Sequence, residues 1–165
     1  MLISQKFETK RVIGIDVGTA IVGWSILDRM SNKLVHVESD AIITSKDDAM
    51  SLRLLKIFNQ LNILINLYKP DEMAVEDLFF FKNKKTIISV AEARGVILLA
   101  GSYNKLKTFD YTPLQVKSAV TGYGRAEKKQ VQFMTAKVLC LKEIPKLDDV
   151  ADAMAVGICH LNTVR

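Results

Sequence analysis

The chain has little with which to staple or anchor itself. Its 165 residues include only two cysteines, Cys140 and Cys159, too few for a disulfide framework and without partners at metal-ligand spacing. Both lie in helical-looking apolar stretches and are expected to be small core residues in a reducing compartment. The two histidines, His36 and His160, stand far apart in the chain and are read as structural, so zinc chemistry has no ligand set to work with. Three prolines and eight glycines leave no low-complexity linker, and no internal repeat is visible. No apolar run approaches the roughly 18 residues that a membrane span needs. Residues 1–10 have no hydrophobic signal-peptide core, so the expected location is the cytoplasm.

What is present fits one globular domain over residues 1–165. Hydrophobic residues make up 49% and charged residues 25% of a chain long enough to bury a substantial core. The formal charge of +5 favours a polyanionic partner. Its distribution matters more: Lys117, Arg125, Lys128, Lys129, Lys137, Lys142 and Lys146 face only Glu127 and Glu143 within residues 113–146. Lys82, Lys84 and Lys85 add a second basic cluster. Phosphate binding needs such a local surplus, although a solvated face would look the same if these residues stood alone.

The apolar pattern predicts strands at residues 11–17, 21–27, 34–43, 73–75 and 108–111. An amphipathic helix is expected over 47–68, carrying Leu52, Leu55, Leu61, Leu64 and Ile65 and closed by Lys69-Pro70. A loop at 79–85 leads into a helix ending near 103, and a short helix follows Pro113. Two more helices are expected over 126–141 and 148–162, separated by Ile144-Pro145. Three meandering strands followed by alternating helix and strand describe an α/β domain, a mixed sheet covered by helices.

Four carboxylates stand out from this apolar frame. Asp16 ends a strand of Val12, Ile13, Ile15 and Val17, where an ionised group is costly unless it is paired or holds a metal. Glu76 repeats the pattern after Met73-Ala74-Val75, and the first and fourth strands are expected to lie side by side. Asp149 and Asp152, three residues apart, project from one face of the last helix, while Asp148 is placed to cap it. Capping and the helix dipole would account for acids there without a metal. The conjunction of four hard oxygen donors favours Mg²⁺, or Mn²⁺ in its place, and a site for phosphodiester hydrolysis; two ions about 3.5–4 Å apart would serve both attacking and leaving oxygens.

Several motifs in order make the chain similar to the RuvC family of Holliday junction resolvases from Val12 to about His160. They are GIDVG (14–18), VEDLFFFKN (75–83), ARG (93–95), QVK (115–117), GYGRAEKKQV (122–131) and DDVADAMAV (148–156). The resemblance implies an RNase H-like fold with a mixed five-stranded sheet flanked by helices. It implies a magnesium-dependent endonuclease acting on four-way junction DNA in recombination and repair, as a homodimer making paired nicks, and leaves open a branch-migration motor as a further partner. The implied catalytic and metal-binding residues are Asp16, Glu76, Asp149 and Asp152, and Lys117 and Lys128 match the lysines near the scissile phosphate. Phe79 matches an aromatic that stacks on unpaired bases at the junction centre, although Phe79, Phe80 and Phe81 would also close an apolar patch or a subunit contact. With the basic clusters, the expected DNA contacts are Phe79, Lys82, Lys84, Lys85, Lys117, Arg125, Lys128 and Lys129. The run Val96 to Ala100 is the natural interface by resemblance, and equally a core segment.

The departures from the family pattern remove no ligand. Val17 stands where a proline is common and Glu92 where a glutamine is usual. GIDVGT (14–19) also resembles the phosphate-binding turn of sugar kinases and actin-like ATPases, but those need two lobes and this length supplies one. An RNA-processing nuclease of the same fold class and a catalytically silent junction-binding module are the remaining alternatives.

Overall fold

The structure, a computed structural model, describes residues 9–77 and 84–164, with only the backbone of 84–86. Five strands, β1 (Lys10–Asp16), β2 (Ile21–Met30), β3 (Lys33–Ile43), β4 (Glu72–Glu76) and β5 (Lys107–Tyr111), form one sheet in the order β3-β2-β1-β4-β5. The first three are antiparallel neighbours, whereas β1, β4 and β5 run parallel. The described residues also form five helices: α1 (Met50–Tyr68), α2 (Lys84–Tyr103), α3 (Pro113–Thr121), α4 (Lys128–Val138) and α5 (Asp148–Thr163).

Strand alternation divides the core in two. Ile13 and Ile15 of β1, with Met73 and Val75 of β4, pack beneath α1 and α2 around Ile57, Leu61, Ile65, Ala93 and Ile97. The alternate positions Val12 and Ala74 face the other way, into a cluster built with Val116, Val131 and the length of α5. Of the residues of α5 from Val150 to Leu161, only Asp152 is not buried. Its approach to the sheet is close because Gly14 and Gly23 present no side chain there: a Cβ on Gly23 would stand 1.9 Å from the Asp149 carbonyl oxygen, and one on Gly14 2.4 Å from that of Ala153. The Ser25 hydroxyl donates to the Ala153 carbonyl at 3.0 Å.

The far half of α5 is fastened by polar groups. His160, fully buried, places Nε2 2.8 Å from Glu72 Oε2 and Nδ1 2.8 Å from the Tyr111 hydroxyl. Lys10 pairs with Glu72 at 2.9 Å, and Arg29 donates to the carbonyls of Leu161 and Val164 at the end of the helix. Both histidines have structural partners among the described residues; His36 bonds within β3, to Ser39 Oγ at 2.9 Å.

Several boundaries differ from the sequence reading. α1 starts at Met50 rather than at 47, because the Ser45 hydroxyl accepts the Asp47 N–H and turns the chain first. Leu52 and Leu55, assigned to its apolar face, are 57% and 52% exposed. α4 is shorter than residues 126–141 and ends where Cys140 adopts a left-handed φ of 53°. That turn takes Cys140 off the buried face, so it is exposed, and only Cys159 is a core cysteine.

α3 is set by a capping box in which the Thr112 hydroxyl accepts the Gln115 N–H at 3.3 Å, Gln115 Oε1 accepts the Thr112 N–H at 2.9 Å, and Pro113 opens the first turn. Replacing Thr112 by Ala should lower unfolding free energy by about 1 kcal/mol in urea titrations. An unchanged midpoint would show that packing of Val116 and Val120 alone sets the helix.

Candidate active site

The register of β1 against β4 explains how two acids distant in sequence meet. Gly14 pairs with Ala74 and Ile15 with Val75, so one step further along the parallel pair come Asp16 and Glu76, the last residues of their strands. Both have the parity of Val12, Gly14 and Ala74 and therefore belong to the face covered by α5. The first turns of α5 bring Asp149 and Asp152 to the same end, Asp149 over Gly23 of β2, which is itself the partner of Asp16.

Their electrostatics reflect four acids gathered in a poorly hydrated place. Burial, reinforced by Glu76, Asp152 and Asp149, raises the Asp16 pKa to about 8. Burial and the Asp152 charge raise that of Glu76 to about 7, against the opposing influence of Lys117 and Lys128 and a hydrogen bond with Asp16. Asp152 is also raised, by burial first, with Lys128 opposing. Burial works against the charge on Lys128, but Asp152 and Asp148, 3.1 and 3.2 Å from its Nζ, outweigh it and raise its pKa.

Asp148 does not cap α5. Leu147 holds the cap position, and the Asp148 carboxylate instead accepts from Gln132 Nε2 at 2.8 Å and pairs with Lys128, joining α4 to α5. A cavity of about 130 Å³ opens beside the acids, lined by Glu76, Asp152, Lys117 and Lys128 with Pro113, Val116, Val131 and Ala155. Lys117 and Lys128 thus lie beside Glu76 and Asp152. Arg125 and Lys129 are exposed near Lys128 in the chain and do not line this cavity. Phe79 and Lys82 lie outside the described residues, as do the side chains of Lys84 and Lys85 at the start of α2.

Among the described residues no three His, Cys, Asp or Glu side chains stand converged in a form that would hold a metal ion as they are. The donor set nevertheless fits one. Burial and neighbouring acids hold the Asp16, Glu76 and Asp152 carboxyls above their ordinary range, and Lys128 is held by Asp152 and Asp148. Such uncompensated negative charge, made only of oxygen donors, suits a hard divalent cation, which would draw the carboxylates together.

The sequence reading missed two arginines near this centre. Arg94 of α2 reaches Asp110 of β5 at 2.7 Å and Asp77, next to Glu76, at 3.6 Å, bracing the strand ends. Arg53 of α1 lines a cavity shared with Asp149.

A family model, crossover junction endodeoxyribonuclease RuvC, matches residues 12–160. A protein of that name from Fusobacterium nucleatum is 55% identical over 154 residues, 93% of this chain and 81% of its own. One from Halothermothrix orenii is 53% identical, with 93% of each chain covered. The structure is similar to that of T. thermophilus RuvC in complex with Holliday junction substrate, with a TM-score of 0.88, 29% identity, and 92% and 93% of the two chains covered. The yeast mitochondrial Holliday junction resolvase Ydc2 shares the fold at a TM-score of 0.67 and 14% identity. The fold is thus RNase H-like, with the mixed sheet expected from the sequence. With residues 12–160 matched by the family model and these two relatives more than half identical over 93% of its length, the chain belongs to the RuvC family of crossover junction endodeoxyribonucleases.

Proposed function

We propose that this protein resolves four-way DNA junctions in recombination and repair by hydrolysing one phosphodiester in each of two strands. The observation that carries the reading is the meeting of Asp16, Glu76, Asp149 and Asp152 at one end of the sheet, beside a cavity flanked by Lys117 and Lys128. These four carboxylates would hold Mg²⁺, or Mn²⁺ in its place, as one or two ions. A divalent cation bound there supplies an activated water and charge stabilisation for the leaving 3′-oxygen.

The chain's own groups do the rest. Asp16 and Glu76 share a hydrogen bond and retain protons near neutrality, so loading the site releases protons and its affinity rises with pH. Lys128 keeps Asp152 in place, and Lys117 and Lys128 offset the charge of an incoming phosphate. Arg125 and Lys129 extend the basic surface for the arms of the junction, with Lys82, Lys84, Lys85 and Phe79 serving the centre.

Two coordinated cuts need two sites, and an apolar face on α1 and α2 supports a homodimer. Leu52, Leu55, Ile88, Leu99 and Tyr103 are exposed there, beside a groove of about 270 Å³ lined by Leu54, Phe58 and Val96. Within the run from Val96 to Ala100, Ile97 and Ala100 are buried in the core whereas Leu99 is 57% exposed, which leaves Leu99 free to serve such a subunit contact. Among the described residues no helix is long and apolar enough to cross a membrane.

The test compares a synthetic four-way junction, a matched linear duplex and a hairpin RNA, each with Mg²⁺ or EDTA. Symmetric, ligatable nicks in the junction that require Mg²⁺ are expected. Preferential cutting of the RNA, or binding without any metal-dependent cutting, would overturn the reading.

A further inference from the structure

A second cavity, of about 380 Å³, opens on the other side of the carboxylate cluster and has no part in the scheme above. It is lined by the turn from Gly18 to Ile21, Arg53, Ser89, Val90 and Asp149. Asp149 is its wall toward the carboxylate cluster, whereas Glu76, Asp152, Lys117 and Lys128 belong to the first cavity. The two cavities therefore flank the Asp16 centre, one from the α3 and α4 side and one from the α1 side.

The second cavity is built from groups held in place. Arg53 Nε donates to the Thr44 hydroxyl at 2.9 Å, that hydroxyl donates to the Thr19 carbonyl at 2.6 Å, and the Thr44 N–H donates to the Ala20 carbonyl at 2.9 Å. The tether uses only Nε, and no described carboxylate comes within ion-pairing distance of the guanidinium, Asp149 included. A half-buried arginine without a counterion, in the first turn of a helix with no acid in that turn, is electrostatically costly. Thr19, 7% exposed, adds a buried hydroxyl without a hydrogen-bond partner in the same cavity wall. A fork of two N–H-bearing nitrogens beside a hydroxyl donor matches the oxygens of a phosphate, which would satisfy both.

We propose that this cavity holds a second phosphodiester of the cleaved strand, with Arg53 and Thr19 as its ligands, so that the strand is gripped on both sides of the carboxylate cluster. The inference rests on the junction-cleaving reading and deepens it. Arg53 is a positioning residue: it fixes the strand, and through the strand the phosphate to be cut.

The experiment uses junctions in which single phosphates flanking the cut are replaced, one position at a time, by uncharged methylphosphonates. Wild-type cleavage should fall about tenfold at one such position, the loss expected for one charge-assisted contact. R53Q should lose about tenfold on the unmodified junction and nothing further at that position, while every other position retains its wild-type penalty. R53K, which keeps a cation, should keep the position-specific penalty. In EDTA, the dependence of log Kd on log salt should weaken by about one unit in R53Q.

A purely structural role for Arg53 predicts a uniformly slower R53Q with all positional penalties intact, and that result overturns the proposal. So does unimpaired cleavage by R53Q. Should R53Q fail to fold, R53K decides the matter, since absence of a position-specific penalty in both wild type and R53K also overturns it. Failure of the wild type to cut the unmodified junction removes the function on which this rests. Normal cutting without a sensitive position removes this inference alone.

Discussion

Asp16→Asn is expected to slow metal-dependent cleavage by about a hundredfold or more while making the metal-free protein more stable above neutral pH. The first effect follows if Asp16 is a cation ligand at the centre of the site, where removing one electrostatic element from a preorganised cluster costs on the order of a hundred- to a thousandfold in rate. The second follows from the fields that act on it. Burial and three neighbouring acids raise the Asp16 pKa from 3.8 to about 8, so the folded chain holds a proton there that the unfolded chain has already released. Stability of the metal-free wild type therefore falls as pH rises from about 4 to about 8, at up to about 1.4 kcal/mol per pH unit while that difference persists. Glu76, raised from 4.5 to about 7, acts in the same direction over its own range.

The neutral amide carries none of this penalty. At pH 8 in EDTA the variant should melt several degrees above the wild type, the difference should shrink toward pH 5, and Mg²⁺ should stabilise the wild type more than the variant. Thermal melts across pH with and without Mg²⁺ make the comparison. A variant that is less stable at every pH would show that Asp16 serves the fold through hydrogen bonds of its carboxylate and is not strained by its neighbours.

The same physics decided what could be read from the sequence. Asp16 and Glu76 were visible because each ends a run of apolar strand residues, and parallel pairing of β1 with β4 then required them to meet. Asp149 and Asp152 were visible through their spacing on a helix. By contrast, Glu72 and His160 lie 88 residues apart, and nothing local distinguishes a histidine bound to a buried glutamate from any other helical histidine. Arg53 was hidden for a related reason. Its tether to Thr44 forms only because the end of β3 and the start of α1 are held together, and within its own helix it looks like a solvated residue.

Leu52 and Leu55 mark a different limit. Helical periodicity identifies an apolar face but does not distinguish a core from a surface awaiting a second subunit, and here it merged Leu61 and Ile65, which are buried, with two leucines that are exposed. Cys140 was misplaced because no glycine or proline announces the end of α4; the chain turns with a left-handed cysteine instead.

Gly23→Ala is expected to damage both fold and activity although it adds only a single methyl group. The new Cβ would stand 1.9 Å from the Asp149 carbonyl oxygen and 2.4 Å from its carbon, and these are backbone atoms that no rotamer change can move. Either β2 or the start of α5 must shift, at a cost of about 1–3 kcal/mol as for other overpacked sites. The buried length of α5 and the His160 anchor resist movement of the whole helix, so displacement should concentrate at its first turn, which carries Asp149, and pass from there to Asp152 one turn on. A ligand displaced by about an ångström commonly costs about a hundredfold in rate. The Mg²⁺ concentration for half-maximal cleavage should rise together with that loss, which ordinary destabilisation would not cause at temperatures where the variant remains folded. A folded variant with wild-type Mg²⁺ dependence and rate would mean that the first turn of α5 does not set the metal geometry.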